Sequence, residues 1–227
     1  MDVLTAPKLE RRNGHYHVED GDFNAVLPSV TTILQVINKP FLLGWYGKHG
    51  TAECTRIKQE SADFGKTCHD IIEQLVLGKD VDLTQADPLI QSIVTSLQEW
   101  MRLVNFTLVG LPEQTIYSKV HGYAGTLDCI ALIYGVPTLI DWKTSSDVYP
   151  EYTLQVAAYH EAVREMGLAT PSIGLIVRMD KKTARVHPQA VPLGGAAFEA
   201  FLSAKALWTW LQGAESPATE WRKRAKE

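Results

Sequence analysis

The sequence predicts a mixed α/β (α+β) domain in which helices flank a central mixed β-sheet. Two long stretches in the first half of the chain repeat apolar residues at helical spacing. Residues 113–144 instead form short segments rich in β-branched and apolar residues, separated by glycines, which is typical of strands. Beyond them, helical and strand-like patterns alternate. Helices before, between and after strands pack as layers around a shared core.

The chain of 227 residues is predicted to form one domain. Hydrophobic residues make up 45% of it and charged residues 21%, a composition sufficient for a well-filled core. The sequence contains no internal repeat, low-complexity tract or linker. We therefore predict a single domain over 1–227, with a core at about 27–212, an N-terminal hairpin extension at 1–26 and a basic tail at 213–227.

Turn and capping signals delimit the first predicted elements. The acidic segment 19–22 lies between two strand-like segments and predicts the turn of a hairpin. Ser29 or Thr31 is positioned to cap a short helix. Gly78 marks the end of a longer helix. The predicted elements of this half are hairpin strands at 14–18 and 23–26, a short helix after 27–29, and amphipathic helices at 61–78 and 88–103.

The second half of the chain supplies the predicted sheet. Its glycines and its change from period two to period 3.6 separate the elements. The predicted elements are three consecutive antiparallel strands at 113–119, 125–134 and 137–144, a helix at 152–166, strands at 172–179 and 184–191, and a closing helix at 196–211.

Asp141 and Lys143 form the most informative pair in the sequence. They are two apart in a predicted strand, so their side chains point to one face and that of Trp142 points to the other. The preceding strand returns through a turn around residues 134–135, and a pairing centred there places Asp128 opposite Asp141. A shift of two in this pairing would place Asp128 opposite Lys143, and a shift of one would separate them.

Two carboxylates and a lysine on one sheet face indicate a cation site. Like charges opposed across strands are destabilising unless a cation neutralises them, and Mg²⁺ or Mn²⁺ prefers carboxylate oxygens. The alternative is an exposed Asp–Lys pair on a solvated sheet face. The apolar run 136–140 that precedes Asp141 is typical of an interior strand, which favours the functional interpretation.

Three further groups are candidates for contacts with a substrate or a metal. Gln155 and Tyr159 are spaced to share a helix face, where they would reach DNA or form the edge of a core. His69, on a predicted helix, is either a partly buried polar residue or a metal ligand. Trp45 belongs to an aromatic and basic segment, 45–49, that would stack on unpaired bases or pack in the core.

Charge, cysteines and hydropathy exclude several classes of protein. The net charge of −4 argues against binding nucleic acid through bulk charge alone but is compatible with a carboxylate site for a cation. No run approaches the ~20 apolar residues that cross a bilayer, and the N-terminus lacks the apolar run of a signal peptide. We therefore expect a cytoplasmic protein without a membrane partner. Cys54, Cys68 and Cys129 are expected to be reduced thiols. The P-loop-like segment 65–67 lacks the required glycine at Glu60, so no ATP is expected.

The order of the candidate residues resembles a known family. The chain carries, in order, Gly65, His69 and Glu73, then Glu113, Gly125-Thr126-Leu127-Asp128, Asp141-Trp142-Lys143, and Gln155 with Tyr159. This series resembles the RecB-like branch of the PD-(D/E)XK nucleases, which includes mitochondrial genome-maintenance exonucleases and many phage exonucleases. Segments 28–34 and 43–45 are similar to the opening segment of the mitochondrial and phage members, and the resemblance spans roughly residues 27–180.

The resemblance implies a restriction-endonuclease-like core and a site dependent on Mg²⁺ or Mn²⁺. The roles that it implies are metal ligation by His69, Asp128, Asp141 and the Trp142 backbone carbonyl, catalysis by Asp128, Asp141 and Lys143, and substrate contact and bracing of the site by Gln155 and Tyr159. Glu113 matches an acidic position of the family and is counted with the catalytic residues.

The activity implied by the resemblance is hydrolysis of phosphodiester bonds at the free ends of linear DNA. The expected setting is phage or bacterial recombination, replication or DNA-end processing, with a recombination or replication protein as a partner. The alternatives are a structure-specific endonuclease and a catalytically silent protein that binds DNA ends. No iron–sulfur cluster is expected, because the members that bear one use four cysteines bracketing the core and this chain has three at other positions.

Overall fold

A computed structural model of the protein describes residues 8–37, 39 and 41–213. The strands, in chain order, are β1 (Lys8–Arg12), β2 (His15–Asp20), β3 (Phe23–Pro28), β4 (Thr107–Val109), β5 (Gln114–Ser118), β6 (Tyr123–Leu127), β7 (Cys129–Ile133), β8 (Val136–Lys143), β9 (Ile173–Met179) and β10 (Val186–Val191). The α-helices are α1 (Val30–Ile33), α2 (Phe41–His49), α3 (Thr51–Val76), α4 (Pro88–Leu103), α5 (Pro150–Glu165) and α6 (Ala196–Gly213), and a 3-10 turn (Leu34–Val36) follows α1.

The central sheet has five strands in the order β10-β9-β8-β7-β4. β8 and β9 are parallel and the other neighbours are antiparallel, so the sheet is mixed. On one face, Leu139 and Ile176 belong to a core shared with α5 and α6. On the other face, Ile140 and Val177 belong to a core shared with α3 and α4. The predicted mixed sheet flanked by helices is confirmed.

β8 is an interior strand, as its apolar run predicted. It pairs with β7 on one side and β9 on the other. Leu139, Ile140, Asp141 and Trp142 are all buried, because helices cover both faces of the sheet. β8 therefore passes through a continuous core and carries Asp141 and Lys143 at its C-terminal end.

The predicted single strand at 125–134 is wrong, because it is two strands that belong to different sheets. β6 pairs with β5 in a two-stranded sheet, whereas β7 pairs with β8 in the central one. The chain changes sheet at Asp128, whose backbone carbonyl accepts the Glu113 N–H at 2.8 Å. Cys129 pairs with Ile140, which is the register that continues to Asp128 opposite Asp141, so the centred pairing is confirmed.

Other differences from the prediction concern single elements. α3 begins at Thr51 rather than at Ser61. The prediction missed its first turns because their residues are mostly exposed and polar. The predicted hairpin forms as β2 and β3, and the polar strand β1 extends it to three strands. The edge strand β4 was also missed. The basic tail predicted at 213–227 lies outside the described residues from 214 onward.

Two simple features complete the fold. Cys54, Cys68 and Cys129 are buried free thiols, in agreement with the prediction of reduced cysteines. Within residues 8–37, 39 and 41–213, no helix combines the length and the apolar character needed to span a membrane.

Candidate active site

Asp128 and Asp141 are the two buried carboxylates at the centre of the candidate site. Asp128 is 9% exposed to solvent and Asp141 is 1% exposed. Asp141 lies within β8, and Asp128 lies at the break between β6 and β7. The Trp142 backbone N–H donates to the Asp128 carboxylate at 2.6 Å, which ties the break to the neighbouring strand. The structure thus places the two carboxylates at the same end of the adjacent strands β7 and β8, with Asp128 just before β7 and Asp141 within β8.

Lys143 and Gln155 bind the Asp141 carboxylate. Lys143 Nζ lies 2.7 Å from Asp141 Oδ2, and Gln155 Nε2 donates to Asp141 Oδ1 at 3.1 Å. Gln155 Oε1 accepts from Lys143 Nζ at 3.4 Å, and Gln155 Nε2 also donates to the Tyr159 hydroxyl at 3.1 Å. Gln155 and Tyr159 therefore contact the acid and the lysine from the facing side of α5, and their role in bracing the site and contacting substrate stays a prediction.

The packing of Tyr159 requires a glycine at position 125, three residues before Asp128. A Cβ atom added at this position would lie 2.5 Å from Tyr159 Cε1, closer than such atoms approach in proteins. The absence of a side chain on β6 lets the Tyr159 ring pack directly on the strand. Because Tyr159 contacts Gln155, this close packing also supports the hydrogen bonds at Asp141.

His69 and Glu113 flank Asp128 from outside the sheet. His69, on α3, has its Nδ1 atom 3.8 Å from Asp128 Oδ1 and 3.9 Å from Glu113 Oε1. One ligand atom from each of the three side chains lies within 4.8 Å of the others. Glu113 has a positive φ of 50°, an uncommon conformation for a residue other than glycine. Three separate segments of the chain thus bring an imidazole and two carboxylates together.

Burial and crowding change the pKa values of these groups. Burial raises the pKa of Asp128, and it raises the pKa of Asp141 to about 6 although Lys143 opposes the change. Burial would lower the pKa of Lys143, but Asp141 and Asp128 outweigh it and the net pKa is raised. Burial would also lower the pKa of His69, but Glu113 and Asp128 outweigh it and the net pKa is raised. Burial therefore disfavours ionisation of both carboxylates, and the nearby Lys143 and His69 only partly offset it.

The residues present fit a divalent cation. Asp141 Oδ2 is buried and receives no aligned hydrogen bond from the described residues, although Lys143 Nζ is near it. Carboxylate oxygens are the ligands that Mg²⁺ and Mn²⁺ prefer in proteins, whereas an imidazole nitrogen is a ligand typical of transition metals. The close three-residue group consists of His69, Glu113 and Asp128, whereas Asp141 is turned toward Lys143 and Gln155. Metal ligation by His69, Asp128, Asp141 and the Trp142 carbonyl stays a prediction.

Trp45 is not brought to this site. It lies on α2, where its ring contacts those of Tyr46 and His49 with centroids 5.4 Å and 5.9 Å away. Lys58 Nζ lies 5.9 Å from the centroid of the Trp45 ring. Trp45 lines neither the cavity that contains Glu113 nor the cavity that contains His69 and Lys143. Its role in stacking on bases stays a prediction.

Two residues near the site had not been singled out from the sequence. Lys143 Nζ lies 4.8 Å from the centroid of the Tyr152 ring, a cation–π contact. Tyr152 precedes Gln155 by three residues, so helical spacing was a usable signal. Lys181, in the turn between β9 and β10, lines a cavity together with Lys143. No sequence pattern links Lys181 to the motif, because only the parallel pairing of β8 and β9 brings this turn close.

Two relatives are similar to the chain in sequence. Mitochondrial genome maintenance exonuclease 1 of Mus musculus is 30% identical over 185 residues, which cover 71% of this chain and 52% of the relative. The Homo sapiens protein of the same name is 28% identical over 180 residues, which cover 72% and 52%. The chain therefore spans about half the length of these relatives.

The other comparisons add little. No protein-family model matches the chain. Among solved structures, the crystal structure of SSO0001 has a TM-score of 0.33 and 16% identity, covering 58% of this chain and 64% of that one. A TM-score this low establishes no shared fold. What the comparisons show is weak homology between 71–72% of this chain and a mitochondrial genome maintenance exonuclease.

Proposed function

We propose that this chain is a DNA nuclease that hydrolyses phosphodiester bonds with Mg²⁺ or Mn²⁺, acting as an exonuclease on linear DNA. The observation that carries the proposal is the buried group of Asp128, Asp141 and Lys143 at the end of an interior strand, with His69 and Glu113 beside it. The names of the two relatives support an exonuclease activity.

His69, Glu113 and Asp128 would hold the cation, and Asp141 and the Trp142 backbone carbonyl are the further candidate ligands. When bound, the cation would supply a hydroxide nucleophile near neutral pH and offset charge on the phosphate. The donor set supports this assignment because a hard divalent cation prefers carboxylate oxygens.

Lys143 would act on the phosphate or on the attacking water. Its ammonium group is ion-paired with Asp141 Oδ2 and donates to Gln155 Oε1, and an ammonium group has three N–H donors, so it keeps the capacity to donate to a phosphate oxygen. A positioned donor of this kind stabilises the charge that develops in the transition state, and the effect is strongest away from bulk water. Gln155 and Tyr159 keep Lys143 in place from the side of α5.

The biological setting belongs to the same proposal and comes from the family resemblance. We place the protein in the cytoplasm, in phage or bacterial recombination, replication or DNA-end processing. Its partners would be linear DNA with free ends and a recombination or replication protein.

The test compares the wild type with Lys143→Ala on end-labelled linear DNA, single- and double-stranded, and on covalently closed circles. Lys79→Ala, which removes an exposed lysine beyond α3, is the matched control. We expect wild type and Lys79→Ala to shorten linear DNA with Mg²⁺ or Mn²⁺ and not in EDTA. Lys143→Ala should be at least ~100-fold slower, the typical effect of losing one charge-stabilising donor.

Each other outcome identifies an alternative. Cleavage in EDTA would disprove the metal requirement. Cutting of branched closed circles would favour a structure-specific endonuclease, and tight end binding without turnover under any metal would favour a catalytically silent protein.

A further inference from the structure

A cavity of about 320 Å³ opens beside Lys143, between α3, the end of β8 and the turn that joins β9 to β10. Its walls present cationic and hydroxyl groups: Lys143, Lys181, His69, Ser61, Thr144 and Ser145. No carboxylate of the described residues lines it. A cavity with two ammonium groups and several hydroxyl donors is chemically suited to an anion with several oxygens.

A second cavity at the site has the opposite character. It measures about 870 Å³ and lies along β5, toward the N-terminal hairpin and the end of α5. Asp20, Glu113 and Glu165 line it, with Lys119 as its one cation among the described lining residues. Lys119 Nζ is already paired with Asp20 at 2.7 Å. A phosphate approaching His69, Glu113 and Asp128 is therefore attracted by the smaller cavity and repelled by the larger one.

Lys181 is positioned by its turn rather than by an acidic partner. The Asp180 carboxylate accepts the backbone N–H groups of Lys182 and Thr183 at 2.8 and 2.9 Å, which shapes the turn. Lys181 Nζ lies 4.5 Å from the centroid of the Phe64 ring on α3. No described carboxylate lies within 4 Å of this ammonium group, and burial lowers its pKa. A half-buried cation that lacks an anionic neighbour is stabilised when a phosphate enters the cavity.

We propose that this cavity binds a phosphodiester group of the DNA strand next to the scissile one, with Lys181 as its specific contact and Lys143 lining the same cavity. The inference rests on the proposed nuclease function and names a substrate-binding residue for it. Phe64 and the Asp180 turn fix the lysine, so the contact is built into the fold.

The test measures DNA affinity in EDTA, where no hydrolysis is expected, over a series of NaCl concentrations. Lys181→Met is the main variant because methionine keeps an apolar stem against Phe64 and removes only the charge. Lys182→Met, on the same turn but exposed, is the matched control. For Lys181→Met we expect the slope of log K against log salt to become shallower by about 0.7 to 0.9, as for one lost phosphate contact. The slope of Lys182→Met should equal that of wild type.

Lys181→Arg should restore the slope, and inorganic phosphate should compete with DNA in the wild type but not in Lys181→Met. Equal slopes for wild type and Lys181→Met, with both variants folded by circular dichroism, would overturn the inference. Cleavage assays on the same proteins separate the two proposals. If the wild type cleaves DNA and Lys181→Met keeps the wild-type salt slope, only the phosphate subsite is refuted. If the wild type never cleaves DNA but Lys181→Met has a shallower salt slope, only the nuclease function is refuted.

Discussion

At the residue scale, Asp141 decides the electrostatics of the site. One of its oxygens accepts from Gln155 and the other lies beside Lys143. The residue is 1% exposed, so water offers its charge little stabilisation. Its pKa of about 6 indicates that the folded, metal-free protein disfavours ionisation of this carboxylate, even with Lys143 beside it. The raised pKa of Asp141 therefore makes the stability of the protein depend on pH.

We expect the contribution of Asp141 to the stability of the metal-free protein to increase as the pH falls from about 7 to about 4. The pKa of Asp141 is raised from 3.8 to about 6, so the folded state binds its proton more tightly than the unfolded state. Its contribution is fully present below the unfolded pKa and is lost as the pH rises through the folded one. The raised pKa values of Asp128 and His69 act in the same direction.

The measurement is the melting temperature in EDTA from about pH 4.5 to about pH 7.5 for wild type and Asp141→Asn. Because asparagine does not ionise, the melting temperature of the variant relative to wild type should rise with pH. A difference that does not change with pH would contradict the raised pKa of Asp141.

Gly125 gives a second prediction at this scale. Gly125→Ala should lower the free energy of unfolding by ~1–3 kcal/mol, because the new methyl group meets the Tyr159 ring in a packed core. Gly44→Ala is the control, since nothing lies within 4 Å of its Cβ position on α2. Alanine favours a helix, so this variant should be neutral or slightly stabilised. Urea unfolding measures both, and equal stability of the two variants would show that Tyr159 yields easily.

At the element scale, β8 and α5 organise the site. β8 carries two polar residues at its end, and its parallel pairing with β9 brings the next turn alongside. α5 presents Gln155 and Tyr159 from one face, because residues four apart on a helix are neighbours. The helix and the strand are consecutive in the chain, and their packing requires only a short connection. α1 shows how local capping anchors such elements.

Ser29→Ala should destabilise the protein by ~1 kcal/mol, the usual cost of losing an N-cap. Ser29 Oγ accepts the Thr32 backbone N–H at 3.0 Å, and Ser29 is 2% exposed. Thr31→Ala is the comparison and should cost less, because Thr31 is exposed and contacts the cap only through its hydroxyl, 3.1 Å from Ser29 Oγ. Thermal or urea unfolding distinguishes them, and a larger loss in Thr31→Ala would assign the cap to the other candidate.

At the scale of the whole molecule, the site is assembled from distant parts of the chain. α3 supplies His69, the segment before β5 supplies Glu113, and the passage between two sheets supplies Asp128. These groups are mutually close only in the folded protein. A ligand that binds all three therefore stabilises the fold as a whole.

Added Mn²⁺ should raise the melting temperature of the wild type, and Asp128→Asn should abolish most of the rise. At a cation concentration 100 times Kd, the stabilisation is about 2.7 kcal/mol. Glu99→Gln, an exposed change on α4, should keep the full rise. Differential scanning fluorimetry measures it, and an equal rise in Asp128→Asn would place the cation elsewhere.

The sequence by itself determined most of the elements and the pairing that places Asp128 opposite Asp141. Apolar periodicity, the turn at residues 134–135 and the apolar run of β8 are local signals, and local signals suffice for helices, hairpins and an interior strand. The first turns of α3 escaped prediction because their residues are mostly polar and exposed.

Only the tertiary structure decided how these elements meet. The break at Asp128 depends on β5, which draws β6 into a separate sheet, and no residue at 125–134 signals it. The same is true of the approach of His69 to Glu113 and of Lys181 to the cavity beside Lys143. Such contacts join residues far apart in the chain, and they follow from the packing of whole faces rather than from any local pattern.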